Sequence, residues 1–131
     1  MSATASAPPR GTTPRPRVTI GRLAIDAVTF EGALDQILAL VDQGDGGTVL
    51  TPNVDHVVQS ERDERLRRAY EEASLSLVDG MPVLWASRLL GQPLPEKISG
   101  ADLFLPLLAR AEAHGLRVYL LGGGPGVAEE I

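Results

Sequence analysis

The feature that most constrains the fold is the alternation of short apolar segments with amphipathic ones along residues 18–131. Thr48–Leu50, Leu75–Val78 and Arg117–Leu121 are short apolar segments of the kind that form buried strands. The segments between them carry apolar residues at helical spacing and are separated by Gly and Pro clusters. This order predicts a Rossmann-like α/β fold, with a mostly parallel sheet and helices on both faces.

An N-terminal β-hairpin is expected to precede this sheet. Val18–Ile20 and Leu23–Ile25 are apolar, and between them Gly21 suits the positive φ of a tight turn. Residues 1–17 are rich in Pro and small residues, and they contain Arg but no acid. We therefore expect a disordered tail over residues 1–17 and a folded α/β domain over residues 18–131.

The C-terminal end of the sequence falls inside an expected helix. Val127–Ile131 begins a helix after a glycine-rich turn, with neither a capping residue nor a following strand. We therefore expect the domain to be incomplete, with the C-terminal part of the fold absent from this chain.

The composition excludes several classes of protein. The chain has no cysteine, which excludes a disulfide scaffold or a thiol nucleophile and is typical of a reducing compartment. Its formal net charge is −5, which argues against nucleic acid as a partner. No segment approaches the roughly 20 apolar residues that cross a bilayer, and the N-terminus lacks the apolar core of a secretory signal. We therefore expect a cytoplasmic protein.

Asp79 is the strongest candidate for a catalytic residue. It follows the expected strand Leu75–Val78 and precedes Gly80, at the carboxyl end of a strand where ligands bind in open parallel sheets. A carboxylate there suits a general base. The alternative is that Asp79 caps the next helix, and the two roles are compatible.

Two further expected strand ends carry polar groups or glycines. Thr51 and Asn53 offer a hydroxyl and an amide around Pro52, although Asn53 alternatively serves as an ordinary helix N-cap. The turn 122–126 contains Gly122, Gly123, Gly124 and Gly126, whose main-chain N–H groups could bind a phosphate. Val127 replaces the last glycine of a dinucleotide fingerprint, so a dehydrogenase half-domain has little support.

The remaining polar and aromatic candidates have structural interpretations. His56 and His114 are expected at the surface or at helix ends. Neither a D-x-D pair nor a His-rich motif is present to hold a metal, and no cofactor is indicated. Trp85 is expected to pack in the core with Leu84 and Leu89, and Val54, Val57 and Val58 are expected to face inward.

Five spaced motifs carry a more specific signal. They are T-P-N-V-D-H at 51–56, S-L-V-D-G-M-P-V at 76–83, A-S-R-L-L-G at 86–91, P-E-K-I-S-G-A-D-L at 95–103 and L-L-G-G-G-P-G-V-A at 120–128. In this order they resemble the WecG/TagA/CpsF family of bacterial glycosyltransferases. The similarity runs from about Val18 to the last residue.

The resemblance implies an inverting, metal-independent glycosyltransferase. Such enzymes transfer a sugar, typically N-acetylmannosamine, from a UDP donor to a polyprenyl-diphosphate-linked sugar in teichoic acid or cell-surface polysaccharide synthesis. By resemblance, Asp79 is the base that deprotonates the acceptor hydroxyl, and Thr51 and Asn53 line the same pocket. Lys97 stands near the donor diphosphate where the family pattern has arginine, and the 122–126 turn contacts the nucleotide.

The resemblance also implies that this chain has little activity by itself. Family members continue beyond the glycine turn, and many have a C-terminal appendage that docks on the cytoplasmic face of the membrane. We expect membrane contact only for a complete chain, and a homo-oligomer is possible. The alternative to an impaired enzyme is a catalytically silent fragment that binds at most a nucleotide or a partner subunit.

Overall fold

The chain forms an α/β structure, which a computed structural model describes over residues 16–130. Residues 1–15 of the expected tail lie outside this range, and Arg17 is the first residue of a strand. The elements in chain order are β1 (Arg17–Ile20), β2 (Leu23–Asp26), α1 (Phe30–Gln43), β3 (Val49–Leu50), α2 (Val54–Ser60), α3 (Glu64–Glu72), β4 (Leu75–Ser76), α4 (Met81–Leu89), α5 (Gly100–Ala113) and a short 3₁₀ helix (Val127–Glu130).

The N-terminal β-hairpin is confirmed. β1 and β2 pair antiparallel, from Arg17 opposite Asp26 to Ile20 opposite Leu23. Gly21 in the connecting turn has a φ of 61°, which suits glycine because it has no Cβ. A Cβ at this position would also lie 3.0 Å from the Val57 side chain. The turn therefore approaches α2 closely.

β3 and β4 form a parallel pair. The main-chain N–H groups of Leu75, Leu77 and Asp79 donate to the carbonyl oxygens of Thr48, Leu50 and Pro52, at 3.1, 2.8 and 2.9 Å. The hydrogen bonds thus continue past both short strands into the loops that follow them. This continuation fixes the loop after β4 against the loop after β3.

Two apolar clusters pack against opposite faces of the extended segment that contains β4. Leu75 and Leu77 lie in one cluster with residues of α1 and α5, and Val78 lies in the other with residues of the hairpin and α4. Alternate side chains of an extended segment point to opposite faces. Helices and the hairpin therefore cover both faces of this segment.

Asp26 joins the hairpin to β4 through a buried carboxylate. Its Oδ2 accepts a 2.7 Å hydrogen bond from the Ser76 N–H, and its Oδ1 lies 3.0 Å from Nε of Arg17. Arg17 also donates to the carbonyl oxygen of Ala73 at 2.9 Å. The side chains thus substitute for main-chain pairing between the hairpin and β4.

The predicted strand at Arg117–Leu121 is wrong. Over residues 16–130 the strands form one parallel and one antiparallel pair, and this segment belongs to neither. Its apolar side chains are exposed, Leu121 to 91%. An apolar run becomes a strand only where a neighbouring strand pairs with its main-chain groups, and within the described range no strand does so.

The expected burial of Trp85 and Leu89 is also wrong. On α4 the buried residues are Val83, Leu84 and Ser87, whereas Trp85 is 55% and Leu89 89% exposed. Residues four apart share one face of a helix, so Trp85 and Leu89 lie together on the outer side. A similar error affects α2, where Val54 and Val58 are exposed and Val57 is half-buried.

Candidate functional site

Three loops meet at the carboxyl ends of β3 and β4. The Asp79 N–H donates to Pro52, and the Ile98 N–H donates to the carbonyl oxygen of Val78 at 2.7 Å. These two hydrogen bonds place residues 51–53, 78–80 and 97–100 side by side. The parallel-strand pattern predicted that residues 51–53 and 79–80 converge, and they form the basis of the candidate site. The third loop is 97–100, whereas the pattern predicted the glycine turn 122–126 in that place.

Asp79 is half-buried at the centre of these loops. The next helix has Gly80 as its N-cap, with a φ of 102° and no side-chain capping bond, so the alternative capping role of Asp79 is wrong. Within residues 16–130 the carboxylate has neither a hydrogen bond nor an ion pair. Its main chain is fixed while its carboxylate stays available to a ligand.

Asn53 is the N-cap of α2, as one of its two sequence interpretations predicted. Its Oδ1 accepts hydrogen bonds from the N–H groups of Asp55 and His56, at 3.0 and 3.3 Å. In return, Nδ1 of His56 accepts the N–H of Asn53 at 3.2 Å, which completes a capping box. The amide nitrogen of Asn53 has no partner among the described residues, so Asn53 can donate to a ligand.

His56 is therefore a capping residue, one of the two roles expected from sequence. Its ring lies 6.3 Å from that of Tyr70, centroid to centroid. His56 on α2 thus holds the main chain of Asn53 through a hydrogen bond. The ring of Tyr70 on α3 packs near the ring of His56.

Thr51 lies beside the first turn of α5. It is half-buried, and a Cβ placed on Gly100 would lie 3.6 Å from its hydroxyl oxygen. Ser99 caps this helix by accepting the Asp102 N–H at 3.1 Å. The Thr51 hydroxyl therefore lies close to the positive end of a 14-residue helix.

Lys97 lies at the same edge, on the loop that leads into α5. Its Nζ is 3.7 Å from Oδ2 of Asp102, and the two side chains are 40% and 55% exposed. An exposed pair of this kind is worth at most about 1 kcal/mol. A phosphate could therefore compete with Asp102 for the Lys97 ammonium group.

The glycine turn is not connected to these loops by any hydrogen bond or ion pair of residues 16–130. Gly122, Gly123 and Gly126 have φ values of 116°, 77° and 84°, and the turn is exposed. The helix that follows is a single 3₁₀ turn, Val127–Glu130. The structure thus brings together Thr51, Asn53, Asp79 and Lys97, while the role of the turn stays a prediction.

Other features of the described residues lie apart from these loops. An apolar groove of about 750 Å³ is lined by α1, α5 and residues 115–120. No group of three or more metal-ligating side chains occurs in the part of the chain that the structure describes. None of the described helices is both long and apolar enough to span a membrane.

Comparison with known proteins identifies relatives of the chain. The sequence profile of the glycosyl transferase WecG/TagA/CpsF family matches residues 18–131. A Bacillus spizizenii protein named N-acetylglucosaminyldiphosphoundecaprenol N-acetyl-beta-D-mannosaminyltransferase is 32% identical over 90 residues, covering 69% of this chain and 35% of that protein. The chain thus spans about a third of the length of this relative.

Proposed function

Because the chain belongs to the WecG/TagA/CpsF family of glycosyl transferases, we propose that it carries the catalytic base of an inverting glycosyltransferase. The donor is a UDP-linked sugar, N-acetylmannosamine or a related hexose. The acceptor is a polyprenyl-diphosphate-linked sugar, as the name of the Bacillus relative suggests. We place the reaction in cell-surface polysaccharide or teichoic acid synthesis, at the cytoplasmic face of the membrane.

The observation that carries this proposal is the environment of Asp79. Its main-chain N–H is fixed by Pro52, and its half-buried carboxylate has no partner among residues 16–130. A general base needs a fixed position and a free oxygen atom within reach of the substrate hydroxyl. The held main chain of Asp79 and its unpaired carboxylate support this role, at the end of the parallel pair where ligands bind.

In the proposed reaction Asp79 removes the proton of the acceptor hydroxyl. The resulting oxygen nucleophile forms a bond to the anomeric carbon from the side opposite UDP, and the bond between that carbon and the UDP oxygen breaks. A single displacement of this kind inverts the anomeric centre. UDP leaves with the electron pair of the broken bond.

The neighbouring residues position the two substrates. Asn53 donates its amide N–H to a substrate oxygen, since its own oxygen is used in capping α2. Thr51 offers a hydroxyl, and Lys97 offsets the diphosphate charge as a point charge without the two-pronged geometry of arginine. We assign the nucleotide to the 122–126 turn. We also propose that β3 and β4 belong to a Rossmann-like, mostly parallel sheet.

The test compares Asp79→Asn with Asp55→Asn, which removes an exposed carboxylate nearby on α2. UDP release is measured with a UDP-sugar and polyprenyl-diphosphate-linked N-acetylglucosamine. We expect Asp79→Asn to lower turnover at least about 100-fold, with donor binding kept because the base acts on the acceptor. Asp55→Asn should leave turnover unchanged. Unchanged turnover in Asp79→Asn would refute the assignment of the base.

Donor binding without transfer by the unaltered protein would instead support the silent-fragment alternative. Calorimetric titration with a panel of UDP-sugars separates the two, because it detects binding whether or not transfer follows. Binding of NAD without binding of UDP would favour a dehydrogenase half-domain.

A further inference from the structure

Residues 95–97 form a short exposed stretch in the loop between α4 and α5. The stretch lies between two buried residues, Leu94 and Ile98, which are 2% and 1% exposed and belong to different apolar clusters. The Ile98 N–H also donates to the carbonyl oxygen of Val78. Both ends of the stretch are therefore held, whereas the position of its middle, which includes Lys97, depends on other contacts.

Ser87 on α4 holds the first of these two ends. Its fully buried hydroxyl donates to the carbonyl oxygen of Leu84 at 2.6 Å and accepts the N–H of Leu94 at 3.1 Å. The carbonyl oxygen of Ser87 accepts the Gln92 N–H at 2.9 Å. The start of the loop is thus held against α4, the helix that follows Asp79.

Glu96 connects the exposed stretch to a different helix. Its Oε1 accepts the main-chain N–H of Phe30, the first residue of α1. A helix N-terminus carries partial positive charge, which suits a carboxylate. In the part of the chain that the structure describes, no other side chain of residues 95–97 forms a hydrogen bond. Glu96 therefore supplies the contact that holds the middle of the stretch.

Glu96 and Lys97 are adjacent in sequence, yet their side chains contact different helices. Glu96 binds the first residue of α1, whereas Nζ of Lys97 lies 3.7 Å from Oδ2 of Asp102 on α5. A lysine side chain is a flexible stem with a single charged end. The region that its ammonium group can reach is therefore set by where the main chain of Lys97 is held.

We propose that Glu96 is a positioning residue that holds Lys97 in place to bind the donor diphosphate. The inference rests on the proposed function, in which Lys97 offsets the diphosphate charge. By accepting the Phe30 N–H, Glu96 fixes the main chain beside Lys97 at the edge of the site that contains Asp79. The same hydrogen bond keeps the carboxylate at the N-terminus of α1, where the partial positive charge of the helix offsets it.

The sign of the effect on UDP binding separates positioning from simple electrostatics. Glu96→Ala removes a negative charge next to Lys97, which by charge alone should strengthen the binding of an anion. Loss of the hydrogen bond should instead release the loop, and we expect UDP binding to weaken about fivefold in calorimetric titration. Glu96→Gln keeps an acceptor oxygen, so it should bind UDP at least as tightly as the unaltered protein.

A double variant shows whether Glu96 acts through Lys97. Lys97→Ala should weaken UDP binding about tenfold, because it removes a charged partner of the diphosphate. Combining it with Glu96→Ala should cause no further loss, because no ammonium group is left to position. Independent effects would multiply to a loss of about fiftyfold. That result would show that Glu96 does not act through Lys97, and the proposal would fail.

Thr29→Ala is the matched control for the stability of α1. The Thr29 side chain caps the same end of the helix, but it accepts the Gly32 N–H at 3.1 Å and is not part of the loop. The variant should lower the free energy of unfolding in urea, as Glu96→Ala should, and leave UDP affinity unchanged. An equal loss of UDP affinity in Thr29→Ala and Glu96→Ala would assign the effect to weakening of α1 and overturn the proposal.

Two further results would contradict the inference, and they differ in what else they affect. Unchanged or tighter UDP binding by Glu96→Ala, together with weaker binding by Lys97→Ala, would refute the role of Glu96 and leave the role of Lys97 intact. Unchanged binding by Lys97→Ala, or no UDP binding by the unaltered protein, would refute both roles. Neither result concerns Asp79, whose role as the base is measured through turnover.

Discussion

The main-chain N–H of Asp79 donates a 2.9 Å hydrogen bond to the carbonyl oxygen of Pro52. Pro52 is fully buried, so the bond is protected from water and holds the loop after β4 against the loop after β3. Thr51 and Asn53 lie on either side of Pro52. The proposed base and the two polar residues beside it are therefore fixed relative to one another by main-chain geometry.

Asn53 allows capping and substrate binding to be separated. Asn53→Asp keeps the oxygen that caps α2 and adds negative charge at a helix N-terminus, which is favourable. It removes the amide N–H proposed to meet the substrate. We expect the free energy of unfolding to change by less than about 0.5 kcal/mol, while sugar transfer falls. Asn53→Ala should lower both, and equal transfer by Asn53→Asp and the unaltered protein would contradict the proposed contact.

His56 should be replaceable by glutamine but not by leucine. Gln at this position of a capping box also accepts the N-cap N–H through its side chain. Leu cannot do so, and leaves the Asn53 N–H without its partner at a cost of about 1 kcal/mol. Urea unfolding of His56→Gln and His56→Leu measures the difference. The same stability for both variants would mean that the bond between His56 and Asn53 contributes nothing.

Removing the Asp26 carboxylate should destabilise the fold strongly. Asp26→Leu leaves the Ser76 N–H without its acceptor and leaves Arg17 with main-chain carbonyl acceptors alone. Breaking a charged pair whose carboxylate is fully buried costs about 3 kcal/mol or more. The matched control is Glu64→Gln, which removes an exposed pair with Arg68 on α3. The control should change the free energy of unfolding by less than about 0.5 kcal/mol. Similar losses in the two variants would refute a special role for Asp26.

We expect the protein to lose stability at alkaline pH because Tyr70 is buried. Burial raises the pKa of the Tyr70 phenol above its ordinary value. Above about pH 10 the unfolded chain releases this proton while the folded chain retains it. The free energy of unfolding should therefore fall as the pH rises through this range, and less so in Tyr70→Phe.

The control for Tyr70 is Tyr119→Phe, because the Tyr119 side chain is 86% exposed. It should show the same alkaline loss of stability as the unaltered protein. Urea unfolding at pH 8 and at pH 11 gives the comparison. A Tyr70→Phe variant that loses as much stability as Tyr119→Phe would assign the effect to other groups.

The parts of the fold that depend on local sequence could be predicted. The hairpin around Gly21 and the helix cap at Ser99 each follow from neighbouring residues, and the structure contains both. Trp85 was misplaced because hydrophobicity alone does not say which side of a helix faces the core. Arg117–Leu121 was misassigned because a strand needs a partner, which its own sequence does not specify.

The strand pattern predicts only part of the candidate site. Thr51, Asn53 and Asp79 follow two strands that pair in parallel, so their convergence follows from the strand order. The bond between Asn53 and His56 is local but involves an unusual capping residue. The contact of Asp26 with Ser76 joins residues 50 positions apart, and no sequence pattern indicated it.

The carboxylate of Asp26 helps to fix the register of β4, because it accepts the Ser76 N–H. Successive residues of a strand point to opposite faces, so a shift of β4 by one residue would invert its inward and outward side chains. Three main-chain hydrogen bonds hold this segment against the chain around β3, and the Asp26 contact adds one that comes from the opposite side. The Ser76 N–H meets Asp26 in one alignment alone. The N-terminal hairpin contributes no residue to the site. Through Asp26 it helps to hold β4 in the register that places Asp79 at the carboxyl end of this segment.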